Sequence, residues 1–447
     1  MGLHDRTIVT AITPDWVNAG SAKYNLSGET TITTGSITNG SASLTVASAA
    51  TWKVGHGIRI IGAGTIAGTS TLNGAINSSV TSIGLNSTAN FPTSGMARIN
   101  NERIYYHGKN STHLLNVLRA YYGTSAASHS NGATVTPMVD LVTTVSAING
   151  STFTLANAAG VTVSSVDVYH DDTAAILDAF DDAYSAGRPL YIPAGEYNAM
   201  DVLFDSKNRV IIKGDGPGRT TLYSIHPEPI FVIDSTTGTS HTVTIENIGY
   251  VGSYSGAVNH GIHVKDTGGN GVFNLTFRNL RFNDVGGSAV KTESGANAAF
   301  TILLEGLDVD QQPSALGSGI DLWGSNDTTL LRCYVHNVGT NQSAYRVRSG
   351  SVTMIGCNGI DGGDTVTWGT FGNVLAEDGT DNYCRVNLIG CNVEAFTNYG
   401  IRCKAGSFAN FFSTQFIAPA SGTVQIGHRE LTTFRDTNAG ASATLPG

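Results

Sequence analysis

Charge is scarce in this sequence. Of its 447 residues only 13% are Asp, Glu, Lys or Arg, about half the share of an ordinary soluble protein. The balance is acidic, 25 Lys and Arg against 34 Asp and Glu, a formal net charge of −9. That excludes nucleic acid as a main partner. It is also unfavourable for long-range steering of an anionic polymer, although a local basic strip overrides a weak global field. Cysteine is short as well. The five (333, 357, 384, 391 and 403) form no CxxC pair and are odd in number, so neither a zinc site nor a complete disulfide framework is expected. No metal and no cofactor are predicted. No run of 18 apolar residues occurs, so no membrane insertion is expected. The start, MGLHDRTIVTAITPDW, lacks the basic-then-apolar order of a secretory leader.

What is abundant is glycine, 54 residues, with serine, threonine and asparagine replacing the missing charge. The length allows about three average domains, and the bias suits stacked short strands joined by tight turns. Residues 170–224 organise the rest. Asp171 or Asp172 can cap a helix on which Ala175, Ile176, Ala179, Phe180 and Ala183 share one face. Gly187 stops it and Pro189 follows. Strands are then expected at 190–192 and 210–213. One short helix feeding many short strands is the pattern of a plug on the open end of a β-solenoid. The stretch "DDTAAI…A…AGRPLYIPAGEY" followed by "IIKGDGPGRTTL" resembles the opening segment of the pectate-lyase-like right-handed parallel β-helix superfamily, phage tailspike type. The resemblance implies an all-β chain built on a right-handed parallel β-helix, with a short capping helix and β-rich N-terminal domains.

Along the chain, residues 1–29 have no clear period and read as an arm or attachment segment. Residues 30–74 and 139–168 read as one β domain split in two. "GSASLTVAS…VGHGIRIIGAG" in the first piece resembles a segment that in this superfamily commonly leads straight into one like "TTVSAINGSTFTLANAA" in the second. Between them, 75–138 carries its own strand-like runs and turns. Its "RINNERIYYHGK" and "RAYYGTSAASHSNGATV" resemble a small β module of phage tail proteins, so it reads as an inserted module; a single continuous β domain is the alternative. The parallel β-helix then occupies 169–435, and 436–447 form a tail.

The repeats of that helix are countable. Apolar anchors fall at Ile262, Val290, Ile320, Tyr345, Val374, Ile401 and Val424, at intervals of 28, 30, 25, 29, 27 and 23 residues, about 27 per coil. A second series runs Ile248, Leu280, Leu307, Cys333, Cys357 and Cys391, which makes those three cysteines buried thiols in a core stack. Each coil holds at least two strands. Consecutive coils stack about 4.8 Å apart, with side chains alternating inward and outward.

Alternation turns the first series into a surface map. The residues after the anchors (His263, Lys291, Asp321, Arg346, Leu375, Arg402, Gln425) point outward, and two further on lies a second column: Lys265, Glu293, Trp323, Arg348, Glu377, Lys404. A sugar offers a flat apolar face ringed by hydroxyls, so Trp323 with Lys291, Arg346, Arg348 and Glu377 forms a candidate saccharide platform. Glycoside hydrolysis needs two carboxyl groups about 5–9.5 Å apart, and Glu293 with Asp321 on adjacent coils is the first such pair. A lyase would need a base and a cation, which Lys291, Arg346 or Arg348 supplies. An ordinary solvated face with ladder-like ion pairs presents the same residues. The second series gives another outward strip, in which Asp308, Asp310 and His336 are the second candidates, as an acid–base group or a Ca²⁺ site. The pair Asn259-His260 resembles one histidine motif of polygalacturonases, whose paired coil aspartates are absent here.

These residues lead to one expectation and two alternatives. The expectation is a tailspike or tail-fibre-like protein of the virion that recognises a bacterial surface polysaccharide and acts on it as a depolymerase. Its partners would be two further copies in a homotrimer and phage tail or baseplate proteins at the N-terminal region. The alternatives are a free polysaccharide lyase or hydrolase, and a structural virion protein without activity.

Overall fold

The computed structural model describes residues 16–252, 259–293, 300–311, 314–323, 325–339, 342–348, 350–360, 374–376, 384–394, 401–403, 407–417 and 426–427. Among the described residues the structure is all β apart from one α-helix and a single 3₁₀ turn, and those of the second half form a parallel β-solenoid. Three sheets wrap it. The first holds ten strands, from Val17–Asn18 and Leu190–Tyr191 through to Ser407–Phe412; the second holds nine, from Gly195–Asn198 to Gln415–Ile417; the third holds nine, from Val202–Asp205 to Ile426–Gly427. The repeat thus has three strands, one more than the minimum set by the two anchor series. Val17–Asn18 adds a rung to the first sheet beside Leu190–Tyr191.

The anchors fall in register down the third sheet, with Ile262 beside Val290, then Ile320, Tyr345, Val374 and Ile401. The last rung differs from expectation: Ile401 pairs with Ile426, two residues past Val424. Outward alternation moves with it, and Arg402 faces Gly427 rather than Gln425. Cys333, Cys357 and Cys391 are free and buried, and each thiol donates to a carbonyl of the coil before it: Leu304, Leu330 and Met354. The sharp corner just before this column repeats one backbone conformation. Asn247, Asn279, Gly306, Arg332, Gly356, Gly390 and Ser413 all have φ between 48° and 62°, a left-handed bend that glycine and asparagine adopt most readily. The Asn279 side-chain amide donates to Asn247 across one coil, 2.7 Å.

The helix α1, Thr173–Ser185, closes the N-terminal end. It buries Ile176, Ala179, Phe180 and Ala183 on the solenoid core, with Phe180 4.6 Å from the Phe204 ring, and Gly187 ends it at φ +64°. Its start follows one of the two expected alternatives. Asp171 Oδ1 accepts from the Thr173 amide, whereas Asp172 makes no cap bond and instead accepts from the Ser27 amide and hydroxyl at 2.6 and 2.7 Å. Burial pushes the Asp172 carboxyl up to about 7.

Ahead of the solenoid, strands from Thr33–Ile37 to Gly57–Ile60 and from Leu141–Asn149 to Val163–His170 close a six-stranded barrel around Leu44, Ile58, Ile60, Phe153 and Val168. Strands from Ser70–Thr71 to Thr134–Met138 form a separate antiparallel sheet. One buried carboxylate organises that sheet: Glu102 takes Arg119 at 2.7 and 2.8 Å, His129 at 2.8 Å and the amides of Ala120 and Ala127. Burial alone would raise its pKa, but these donors together hold it at about 2.

The units are fastened by buried polar contacts. The Arg59 guanidinium lies 2.7 Å from Asp171 and 3.3 Å from Asp140. Asp140 also accepts from His226 Nε2 at 2.6 Å. From the separate sheet, which has six strands, Tyr105 donates to Glu228 at 2.5 Å, and from the 3₁₀ turn that follows its strand His113–Leu118, Tyr121 bonds His226 Nδ1 at 2.9 Å.

Candidate saccharide strip on the third sheet

Strands of three residues leave little room for a purely solvated outer face. In Ile262–Val264 and Ile320–Leu322 every residue is buried. His263, Lys291, Asp321 and Arg346 stand side by side on successive coils. The second column continues the ladder just past the strand ends, the Glu293 amide bonding Val264 O and the Arg348 amide bonding Leu322 O. Trp323 is tied to the coil before it through Thr292, whose Oγ1 both donates to Trp323 O at 2.8 Å and accepts from Trp323 N at 2.6 Å.

The carboxylates of this strip are engaged rather than open. Asp321 is 4% exposed. It is covered by Arg348, which binds it bidentately at 3.0 and 2.7 Å, while the same guanidinium lies 4.9 Å from the centre of the half-buried Trp323 ring. Glu293 Oε1 accepts from His263 Nε2 at 2.7 Å and lies 3.7 Å from Lys291 Nζ. The hydrogen bond from His263, with the nearby Lys291 and Lys265 charges, holds Glu293 at about 2. It is therefore ionised at neutral pH and has no proton to give. Glu293 is thus not placed as the raised-pKa acid that hydrolysis needs, and Asp321 is closed off by its bidentate pairing with Arg348.

Sequence reasoning put His263 on the outer face but gave it no role. Burial holds its imidazole below the usual range, so the ring is neutral near pH 7. Nε2 faces a carboxylate and carries the proton, which leaves the lone pair on Nδ1. His260 packs edge-on at 4.9 Å; burial pushes it down as well, and its Nδ1 accepts from the Ser288 amide at 2.9 Å. Among the described residues the strip thus gathers Lys265, Lys291, Arg346 and Arg348 against Glu293 and Asp321, four cations to two anions in a chain whose net charge is −9. Glu377 lies outside the described residues.

The second candidates do converge. His336, stacked on Tyr334 at 4.7 Å, lies between Asp308 at 3.5 Å and Asp310 at 3.6 Å. Asp308 is also 3.5 Å from Arg281, and Asp310 accepts from Asn337 at 2.8 Å. Among the described residues no group of three His, Cys, Asp or Glu gathers to hold a metal.

No protein-family model matches the chain, and no curated protein does. Solved structures match at low similarity. A protein of Geobacillus virus E2 (ORF18) gives a TM-score of 0.40 at 15% identity over 59% of this chain, which spans 56% of that protein's length. An alginate lyase from Paenibacillus sp. str. FPU-7 gives 0.37 at 10% identity, over 54% of this chain and 95% of that one. The catalytic domain of a GH87 alpha-1,3-glucanase gives 0.28 at 12% identity, over 88% and 93%. All are distant, and none decides an activity for this chain.

Proposed function

We propose that this chain is the glycan-recognising part of a phage tailspike-type protein. It binds an acidic bacterial surface polysaccharide along the third sheet, with Trp323 under a sugar ring and Lys265, Lys291, Arg346 and Arg348 facing its carboxylates. The surplus of cations around one half-buried tryptophan, in a chain poor in charge and acidic overall, carries this reading. The resemblance of the opening segment to tailspikes supports the type. The barrel and the six-stranded module then face the virion. The test uses an acidic capsular polysaccharide and the same polymer after chemical reduction of its carboxyls. The acidic form is expected to co-elute with the protein and the reduced form to pass free; equal retention of both would contradict the reading.

A second reading, cleavage by β-elimination, is favoured by His263. A neutral Nδ1 beside lysines suits a base that takes the proton α to a uronate carboxyl; the freed electron pair forms the C=C bond, the β C–O bond breaks, and the leaving oxygen takes its proton from water. Unsaturated chain ends, seen by ultraviolet absorbance in the same mixture, report it.

Self-association has its own support on the first sheet. One outward column runs Lys213, Glu246, Arg278, Glu305, Leu331, Ile355, Ile389, Phe412 in register. Its first half is an ion-pair ladder, with Arg278 2.7 Å from Glu305. Its second half leaves Ile355, Ile389 and Phe412 exposed, the face through which parallel copies would pack. Light scattering at micromolar concentration is expected to give the mass of three chains. A monomer mass alone would count against it.

A further inference from the structure

Away from the strip, the barrel, the six-stranded module and the first coils enclose a cleft of about 420 Å³ lined by Thr30, Ile32, Tyr122, Tyr169, Asn198 and Tyr223. Its volume is in the range of small-molecule sites, about 300–1,000 Å³. Every unit of the fold contributes a wall: Tyr169 ends the barrel, Tyr122 comes from the module's 3₁₀ turn, and Asn198 and Tyr223 face each other on adjacent strands of the second sheet. Two features mark it as built rather than left over. Asn198 is 5% exposed, and its side-chain nitrogen has no hydrogen-bond partner, a buried donor that a native fold rarely leaves unused. Tyr122 holds a left-handed backbone, φ +58°, which a non-glycine residue adopts only where its surroundings demand it. Here the surroundings are the Tyr169 hydroxyl, bonded to its own, and the Tyr121 ring at 5.4 Å.

The lining selects the ligand by chemistry. It offers three phenol rings, aliphatic walls in Ile32 and Ile225 and the hydroxyl side chains of Thr30 and Ser224, with neither Lys nor Arg among its lining residues. The charges beside it are of both signs: Glu196 accepts from Tyr223 at 3.2 Å and from Thr30 at 3.3 Å, and the Arg103 guanidinium lies 5.8 Å from the centre of the Tyr122 ring. Such a site stacks a ring face and exchanges hydrogen bonds with its hydroxyls, and it holds no surplus of positive charge for an anion. We infer that this cleft is a second carbohydrate site, one that takes an uncharged hexose unit and works independently of the cationic strip.

The experiment is saturation-transfer NMR on the intact protein with neutral maltohexaose, laminarihexaose and mannohexaose, and with hexagalacturonate as the anionic probe. At least one neutral oligosaccharide is expected to bind with a dissociation constant near or below about 1 mM. Ile32→Arg fills the cleft from an exposed position, 52% accessible, and should weaken that binding at least tenfold without disturbing the core. Tyr223→Ala should do the same, and Trp323→Ala should leave it unchanged. The inference is overturned if no neutral probe binds, if binding survives Ile32→Arg, or if Ile32→Arg weakens hexagalacturonate as much as the neutral probe. A loss confined to Trp323→Ala would place the sugar on the strip and likewise reject the cleft, while leaving strip recognition intact.

Discussion

Glu102→Ala is expected to destabilise the six-stranded module by about 3–5 kcal/mol, the range for stranding one partner of a buried ion pair. The substitution leaves the Arg119 guanidinium, 7% exposed, without its bidentate partner, and strips the Ala120 and Ala127 amides of their acceptor. Glu102→Gln keeps the shape and one acceptor and should cost less. The sign with pH follows from the low folded-state pKa. A carboxyl held at about 2, against an ordinary value of 4.5, stabilises fully above about 4.5, and that contribution is lost as pH falls toward 2. The chain has several units and need not unfold in one step. Hydrogen exchange read separately in 95–138 is therefore the measurement. Exchange there that is unchanged in Glu102→Ala, while the mutant stays folded, would remove Glu102 from the account.

The solenoid was legible because inward positions must be apolar and coils repeat. Ile262, Val290 and Ile320 stand out at nearly constant spacing, and so do the three cysteines. The last rung was misplaced because Val424 and Ile426 are both β-branched and two apart, so alternation puts both on the same face and composition cannot choose between them. The third strand of each coil was not separately recognised, although a signal was present. "VTIENI", "LTFRNL", "VTMIGC" and "VNLIGC" share alternating apolar residues that run into the left-handed corner.

At the strip, period-two alternation told which residues leave the core, and it is silent on what then covers them. Asp321 does face away from the solenoid interior, yet Arg348, one coil on and two positions along, closes over it. The coupling of His263 to Glu293 spans 30 residues and becomes visible only once the register is fixed. The cleft was beyond reach for the same reason. Thr30, Tyr122, Tyr169 and Tyr223 carry no shared spacing, and only the packing of three units brings them together.

The second large effect concerns Arg348, which does two jobs through one guanidinium. It neutralises a buried carboxylate and lies over the ring of Trp323. Arg348→Met should weaken acidic-glycan binding at least tenfold and also destabilise the fold, because Asp321 is left buried and unpaired. Trp323→Ala removes only the stacking surface and should weaken binding comparably while leaving the fold stable. The most direct measurement is calorimetric titration of an acidic oligosaccharide, prepared from a polysaccharide that the wild type retains, into the wild type and Trp323→Ala, with thermal unfolding recorded for both. The account predicts at least a tenfold loss of affinity at unchanged unfolding temperature. Wild-type affinity in a folded Trp323→Ala protein would contradict it and place glycan recognition elsewhere on the molecule.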